Sequence, residues 1–259
     1  MKILHVVPTY LPAWRHGGPI RAVHGLAKAL VARGEEVTVF TTDLHGRERL
    51  DVPLETAVNR DGVKVHYFPA RWARLAWAPA MKRALASTAE FDVVHLHSVF
   101  LWPTLAAARA AEHARAPYLL APRGMLVPEL IEARGAMRKR LWIRGFERHT
   151  IERAAAIHAT ANVEAEDARR LAASWGFALP PFHVVPNGVE AESWDGSDAD
   201  REALSLPVRN LLERGPFVLV LGRVSWKKGL GEMIEALPEI PRDLVATLAI
   251  VGNDEEGLT

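Results

Sequence analysis

A glycine loop near the start of the chain is the first segment with a chemistry-bearing pattern. Gly17, Gly18 and Pro19 precede apolar residues that recur at helical spacing, so the loop leads into the first turn of a predicted helix. Free N–H groups at a helix N-terminus favour an anion, and glycines let a phosphate approach the backbone closely. The loop therefore predicts a phosphate site, with a tight turn that binds nothing as the alternative. Its spacing lacks the G-x-G-x-x-G pattern of dinucleotide-binding proteins.

Two histidines, His95 and His97, lie two residues apart in an apolar run. On a strand this spacing points both side chains to the same face, near the carboxyl end where a cleft would form. A metal centre needs further ligands, and the sequence offers no cysteine and no third ligand at a recognisable spacing. We therefore expect no metal, a structural role for His95 and an active-site role for His97.

A basic loop, LGRVSWKKG, follows an apolar run near the end of the sequence. It contains Arg223, Lys227 and Lys228 and leads into a predicted helix. Arginine offers a planar fork of donors to phosphate oxygens and lysine adds a point charge, so such a loop could neutralise a diphosphate. An exposed basic turn is the alternative for this segment taken alone.

Strands that alternate with helices would hold these residues in place. The predicted strands are short apolar or alternating runs at residues 3–7, 36–42, 63–68, 92–96, 118–121, 155–160 and 183–185. Their alternation with helical segments predicts an α/β fold with a doubly wound, mainly parallel sheet. Ligands of such sheets bind beyond the carboxyl ends of the strands. We expect Gly17, His97 and Arg123 to converge on one cleft at that edge.

The sequence predicts two domains of unequal length. Residues 1–188 form the expected N-terminal domain, and the acidic, irregular stretch at 189–214 is the expected interdomain connection. Residues 215–259 contain one β-α-β pattern, which predicts the start of a second Rossmann-like domain.

Composition excludes several classes of protein. The 32 basic and 31 acidic residues give a net charge of +1, which provides no global attraction to nucleic acid, so we expect no nucleic-acid partner. The absence of cysteine excludes a disulfide framework and permits the cytoplasm. The first apolar run is broken by Pro8 and is too short for a secretory signal or a membrane span, so we expect a strand there.

Six segments occur in the order GGPIR, VVHLHSVF, APRG, VVPNGVE, LGRVSWKKGL and LAIVGNDEEG. Each is weak evidence alone, but together they resemble the retaining family 4 glycosyltransferases, over essentially the whole chain. The resemblance implies a GT-B fold, with a complete acceptor-side domain and only the opening of the nucleotide-sugar-binding domain. Relatives continue into base-binding loops and a pair of glutamates, so we expect little or no activity from these 259 residues alone.

The resemblance also implies roles for particular residues. Four of them would bind the donor diphosphate from its two sides: Gly17, Gly18, Arg223 and Lys228. His97 would be the catalytic-site residue near the transferred sugar. Many relatives have histidine where this chain has an arginine before Gly124. The candidate sugar or acceptor contacts are Arg21, Arg123 and Asn187.

The implied activity is transfer of a sugar from a nucleotide-diphosphate donor to a polysaccharide, lipid-linked or small glycan acceptor. Retention of anomeric configuration, independence of metals and other cofactors, and a cytoplasmic place in polysaccharide biosynthesis are implied in the same way. Two alternatives stay open, a non-catalytic binding or assembly module and a sugar-nucleotide epimerase of the same fold. The oligomeric state is also left open.

Two stretches, residues 71–85 and 134–148, mix arginines with aromatic residues such as Trp72 and Trp142. This mixture suits helices that lie in a membrane interface beside anionic headgroups. A lipid-linked acceptor would make peripheral contact with the inner face of the membrane useful. The alternative is that each helix packs its apolar side on the sheet and leaves its arginines solvated.

Overall fold

The computed structural model of the chain contains two compact units, Met1–Val189 and Glu190–Thr259. The structure describes residues 1–13, 18–46, 48–133, 135–189, 202–213, 215–225, 228–241, 244, 247–254 and 257.

A sheet of eight strands lies at the centre of the first unit. The strands of this unit are β1 (Lys2–Val6), β2 (Glu36–Thr42), β3 (Leu44–His45), β4 (Glu48–Arg49), β5 (Ala57–Arg60), β6 (Val63–Phe68), β7 (Val93–His97), β8 (Tyr118–Ala121), β9 (Ala156–Ala159) and β10 (Phe182–Val184). The central sheet has the order β10-β9-β8-β7-β1-β2-β6-β5, and β3 pairs with β4 in a separate hairpin. Its neighbours run parallel except β5 and β6. The predicted α/β fold with a doubly wound, mainly parallel sheet is confirmed.

Helices follow most of the parallel strands. They are α1 (Gly18–Ala32), α2 (Pro79–Ala84), α3 (Trp102–Ala114), α4 (Pro128–Glu132), α5 (Ala136–Trp142), α6 (Arg148–Glu152) and α7 (Asn162–Trp175). Short 3-10 segments occur at Ala73–Leu75 and Leu85–Glu90, and a π-helical segment, Ile143–Glu147, joins α5 to α6.

Both faces of the central strands are buried, as a parallel sheet requires. In β6, Val63 and Val65 belong to one apolar cluster, which also contains Val23 of α1. Phe68 of the same strand belongs to the opposite cluster, which contains Leu96 and residues of α2, α3 and α7. Because side chains alternate along a strand, α1 covers one face of the sheet and the later helices cover the other.

The second unit contains a β-α-β motif. Its elements are α8 (Leu206–Glu213), β11 (Phe217–Leu221), α9 (Leu230–Ala236) and β12 (Thr247–Val251), and the two strands pair in parallel. Beyond their carboxyl ends Gly222 and Gly252 meet so closely that a Cβ atom on Gly252 would lie 1.6 Å from the Gly222 carbonyl oxygen. Only glycine fits there. The Val224 N–H then donates to the Asn253 carbonyl over 3.0 Å, which fixes the two loops together.

The helices in the described ranges are too short or too polar to cross a lipid bilayer.

Candidate functional site

A cavity of about 270 Å³ lies beyond the carboxyl ends of β1, β7 and β8. It is lined by the first turn of α1, by the loops after the three strands, and by one short helical segment. His97, Arg123 and the α1 residues Pro19 and Ile20 share its wall. Gly18 begins α1 directly before Pro19, whereas Gly17 lies outside the described residues.

Arg21 lies elsewhere. It is exposed on α1, and it does not contribute to the wall of this cavity as the described residues define it.

Four buried histidines lie behind the cavity on three strands. They are His5 on β1, His95 and His97 on β7, and His158 on β9. His5 is directly opposite His95 in the pairing of β1 with β7, and their neighbours Leu4 and Leu96 point into the opposite core. The four imidazoles therefore lie on the face of the sheet away from α3 and α7.

His5 was not identified from the sequence. No third ligand stands at a recognisable spacing from His95 and His97 in the sequence, but in the structure nitrogen atoms of His5, His95 and His97 lie within 4.8 Å of one another. The neighbouring strand brings the third imidazole, and no spacing along the chain reports that pairing. A polar residue in the middle of the apolar first strand was the available sign.

The hydrogen-bond partners assign the tautomers of two of these histidines. His158 Nε2 lies 3.0 Å from the Val185 carbonyl, which only accepts, so His158 carries its proton on Nε2. His158 Nδ1 is therefore an acceptor, and His95 Nε2 donates to it over 3.2 Å.

A second chain of hydrogen bonds starts at the cavity. Arg123 Nη2 donates to His97 Nδ1 over 3.3 Å, because a guanidinium cannot accept. His97 therefore carries its proton on Nε2 and donates to His5 Nδ1 over 2.9 Å. His5 in turn has its proton on Nε2, a buried atom with no partner among the residues described.

All four histidines are held neutral. Burial is the main cause that lowers the pKa of each, and repulsion from Arg123 adds to it; the pKa of His5 falls to about 3. A divalent metal would have to displace the His97 to His5 hydrogen bond and lie beside the Arg123 guanidinium. In the structure the neutral imidazoles are linked to one another by hydrogen bonds.

Arg123 follows β8 in the left-handed region, with φ at +56°. Such a conformation is uncommon for a residue with a side chain and is concentrated at functional sites. Nη1 donates to Asn187 Oδ1 over 2.8 Å, while Nε is buried and has no partner in the described part of the chain. Glu164 holds the turn by accepting from the N–H groups of Gly124 and Thr160 and from the Thr160 hydroxyl, over 2.6–2.7 Å.

The loop after β7 is also strained. Ser98 and Phe100 have φ angles of +74° and +63°. The Phe100 N–H donates to Glu147 Oε1 over 2.6 Å, and Trp142 Nε1 donates to the same oxygen over 3.2 Å. Glu147 Oε2 is buried without a partner among the described residues, and burial raises the pKa of this carboxyl to about 7. Sequence analysis missed Glu147, because the basic and aromatic residues around it predicted a surface helix.

In the second unit, Arg223 and Lys228 are exposed in the loop after β11. The Lys228 N–H donates to the Ser225 carbonyl over 3.0 Å. Lys227 lies outside the described residues.

Comparison with known proteins gives consistent matches. The family model of the glycosyl transferase 4-like domain matches residues 17–188. The D-inositol 3-phosphate glycosyltransferase of Xylanimonas cellulosilytica is 28% identical over 273 residues, which cover 98% of this chain and 62% of that protein.

Solved structures of similar fold include the following two. HepE from Anabaena, in complex with UDP, has a TM-score of 0.64 and 20% identity, over 99% of this chain and 62% of its own. The catalytic domain of starch synthase IV from Arabidopsis thaliana, bound to ADP and acarbose, has a TM-score of 0.59 and 15% identity, over 96% of this chain and 68% of its own.

The chain thus spans about 62% of the length of the curated relative. The family model covers most of this chain, including every described cavity-lining residue from the start of α1 onwards. The chain therefore belongs to the glycosyl transferase 4-like family, and its fold is of the GT-B type.

Proposed function

We propose that the protein transfers a sugar from a nucleotide-diphosphate donor to an acceptor, with retention of anomeric configuration. The observation that carries this proposal is the cavity of a glycosyl transferase 4-like chain, in whose wall the first turn of α1, His97 and Arg123 meet. HepE is bound to UDP or UDP-glucose and starch synthase IV to ADP in the crystal structures of similar fold. These ligands support a nucleotide sugar as the donor.

Donor cleavage would depend mainly on stabilising the departing diphosphate. The N–H groups at the start of α1, which begins at Gly18, suit a phosphate, and the family resemblance implies that Gly17 and Gly18 contact the diphosphate. The family resemblance also implies that Arg223 and Lys228 supply positive charge to the diphosphate. No metal or other cofactor is needed in this scheme.

His97 has a positioning role in this proposal. Both of its ring nitrogens already have partners, and its neutral form is favoured by burial, so the geometry gives it no proton to exchange with the substrate. It accepts a hydrogen bond from Arg123, and both side chains line the cavity, while Asn187 is the second partner of Arg123.

In a version extended to the length of its relatives, Arg223→Ala is expected to reduce kcat/KM for the donor by about 10- to 150-fold. This corresponds to roughly 1.5–3 kcal/mol, the worth of a hydrogen bond to a charged group. Lys228→Ala should act similarly. The assay measures release of the nucleoside diphosphate together with sugar attached to an added acceptor.

Lys227→Ala is the matched control, because the family pattern places the phosphate-binding lysine directly before the glycine. Equal losses in the two lysine variants would contradict this assignment. Free epimerised sugar nucleotide formed without acceptor would favour the epimerase, and acceptor binding without any turnover would favour a binding module.

We also propose peripheral contact with a membrane through the helical stretch around α5. Met137, Leu141 and Phe146 are 71%, 63% and 48% exposed, which is unusual for apolar side chains so close together. Arg138 and Arg140 lie among them. Exposed apolar groups beside cations suit an interface that contains anionic lipid.

Replacement of Arg138 and Arg140 by serine is expected to abolish most cosedimentation with vesicles that contain phosphatidylserine. Binding of the unmodified chain should fade as salt rises, because surface attraction is screened within about 10 Å at 0.1 M ionic strength. Serine at the exposed Arg33 and Arg115, away from α5, is the matched control. Binding that is insensitive to salt, or that both double variants lose equally, would refute this surface.

A further inference from the structure

The guanidinium of Arg123 has no counter-ion among the residues of the first unit that the structure describes. Its two hydrogen-bond partners are neutral, the Asn187 amide oxygen and the His97 imidazole. No carboxylate among the described residues lies within ion-pair distance of it. Glu164, the acid whose charge acts on it, uses both oxygens on the Gly124 and Thr160 groups.

This arrangement leaves donor capacity beside the cavity. A guanidinium has five N–H donors, and the two hydrogen bonds occupy one on Nη1 and one on Nη2. The Nε donor is buried and has no protein partner in the described ranges, so the second hydrogens of Nη1 and Nη2 are the donors that remain for a ligand. Burial lowers the pKa of Arg123, which reflects the free-energy cost of a poorly solvated cation. A partly buried charge without an ion partner is stabilised when an ion of opposite sign binds beside it.

The remaining cavity wall has little other charge. It is formed mainly by apolar groups, with the Thr9 and Ser98 hydroxyls as further hydrogen-bonding side chains. The neighbouring histidines are neutral, so Arg123 is the cation that the described wall presents to a ligand. A bidentate donor of this kind matches a phosphate or a carboxylate.

We propose that Arg123 binds an oxyanion of the acceptor, so that the acceptor is a phosphorylated or carboxylated sugar or polyol rather than a neutral one. The assignment of this oxyanion to an acceptor rests on the proposed sugar transfer. The oxyanion site itself rests on the geometry of Arg123. The rival source of the oxyanion is the diphosphate of the donor. Binding measurements separate the two sources.

The test is calorimetric titration of the version extended to the length of its relatives with glucose 6-phosphate, glucuronate, glucose and UDP. Glucose 6-phosphate or glucuronate is expected to bind at least 10-fold more tightly than glucose. Arg123→Gln should remove that preference and change UDP affinity less than 3-fold, while Arg123→Lys should retain part of it through its charge. Arg109→Gln, on the exposed side of α3, is the matched control.

Nuclear magnetic resonance of the histidine side chains gives a second measurement. Glucose 6-phosphate should shift the ring nitrogens of His97 and His5, since an anion at Arg123 offsets the charge that acts on both. Equal affinity for glucose and its phosphate in the unmodified chain would overturn the proposal. So would a loss of UDP affinity in Arg123→Gln as large as the loss of glucose 6-phosphate affinity, which would assign Arg123 to the donor.

Failure of the oxyanion site and failure of the proposed sugar transfer give different results. An extended protein that transfers sugar to neutral acceptors, with Arg123→Gln as active as the unmodified protein, would refute the oxyanion site and leave the proposed function standing. A clear preference for glucose 6-phosphate in a protein that transfers no sugar would support the oxyanion site and refute the proposed function.

Discussion

Lowering the pH from 7 to 4 is expected to reduce the free energy of unfolding of the first unit by on the order of 3 kcal/mol through His5 alone. Burial is the main cause that lowers the pKa of His5 from 6.5 to about 3, with repulsion from Arg123 and His158 adding to it. Between these values the unfolded chain gains a proton that the folded chain rejects. The stabilisation from His5 is therefore complete above pH 6.5 and is lost as the pH falls through about 3.

Urea unfolding followed by tryptophan fluorescence at several pH values measures this slope. His5→Asn is the informative variant, because its Oδ1, like the histidine Nδ1, is attached to Cγ and can accept from His97 Nε2 without titrating. We expect a flatter pH dependence in this variant. His183→Asn, at an exposed histidine, should keep the original slope. An unchanged slope in His5→Asn would show that His5 is not held neutral.

Glu147→Gln is expected to stabilise the chain by on the order of 3 kcal/mol at pH 8 and by much less at pH 4.5. Burial raises the pKa of Glu147 from 4.5 to about 7, against the opposing hydrogen bonds from Trp142 and Phe100. The folded chain keeps a proton that the unfolded chain has lost. Stability from the protonated carboxyl is therefore full below pH 4.5 and is lost as the pH rises through 7.

Glutamine keeps a side-chain oxygen for the Phe100 N–H and removes the ionisation. The difference between the variant and the unmodified chain isolates this site, because the histidines contribute equally to both. Glu132→Gln, at an exposed position on α4, should change little at either pH. A stabilisation in Glu147→Gln that is the same at pH 4.5 and pH 8 would contradict the raised pKa.

Much of the fold could be predicted because its strands are continuous apolar runs. Residues 3–7, 36–42 and 63–68 were predicted as strands, and they contain β1, β2 and β6 within one residue at each end. The antiparallel edge strand β5 was not predicted. Its sequence AVNR is half exposed and has no apolar run, since an edge strand needs only one buried face.

The site was less predictable than the sheet. His97 and Arg123 could be placed near the cavity because each ends or follows a strand, and ligands bind at that edge. The residues that form hydrogen bonds around them, His5 and Glu147, could not be predicted from the sequence. His5 reaches His97 across 92 positions of sequence and Glu147 reaches Phe100 across 47, so both contacts depend on tertiary packing that local periodicity does not report.

The π-helical segment Ile143–Glu147 accommodates one residue more than a regular α-helix would between the same ends. The Arg148 N–H donates to the Ile143 carbonyl five residues back, one more than in an α-helix. Such a segment corresponds to a single inserted residue, and each residue turns a helix by roughly 100°. Loss of one residue, for instance Gly145, would restore regular helix and rotate the following carboxylate away from the Phe100 N–H. A one-residue gap in an aligned relative would therefore mark a protein whose loop after β7 has lost its buried acceptor.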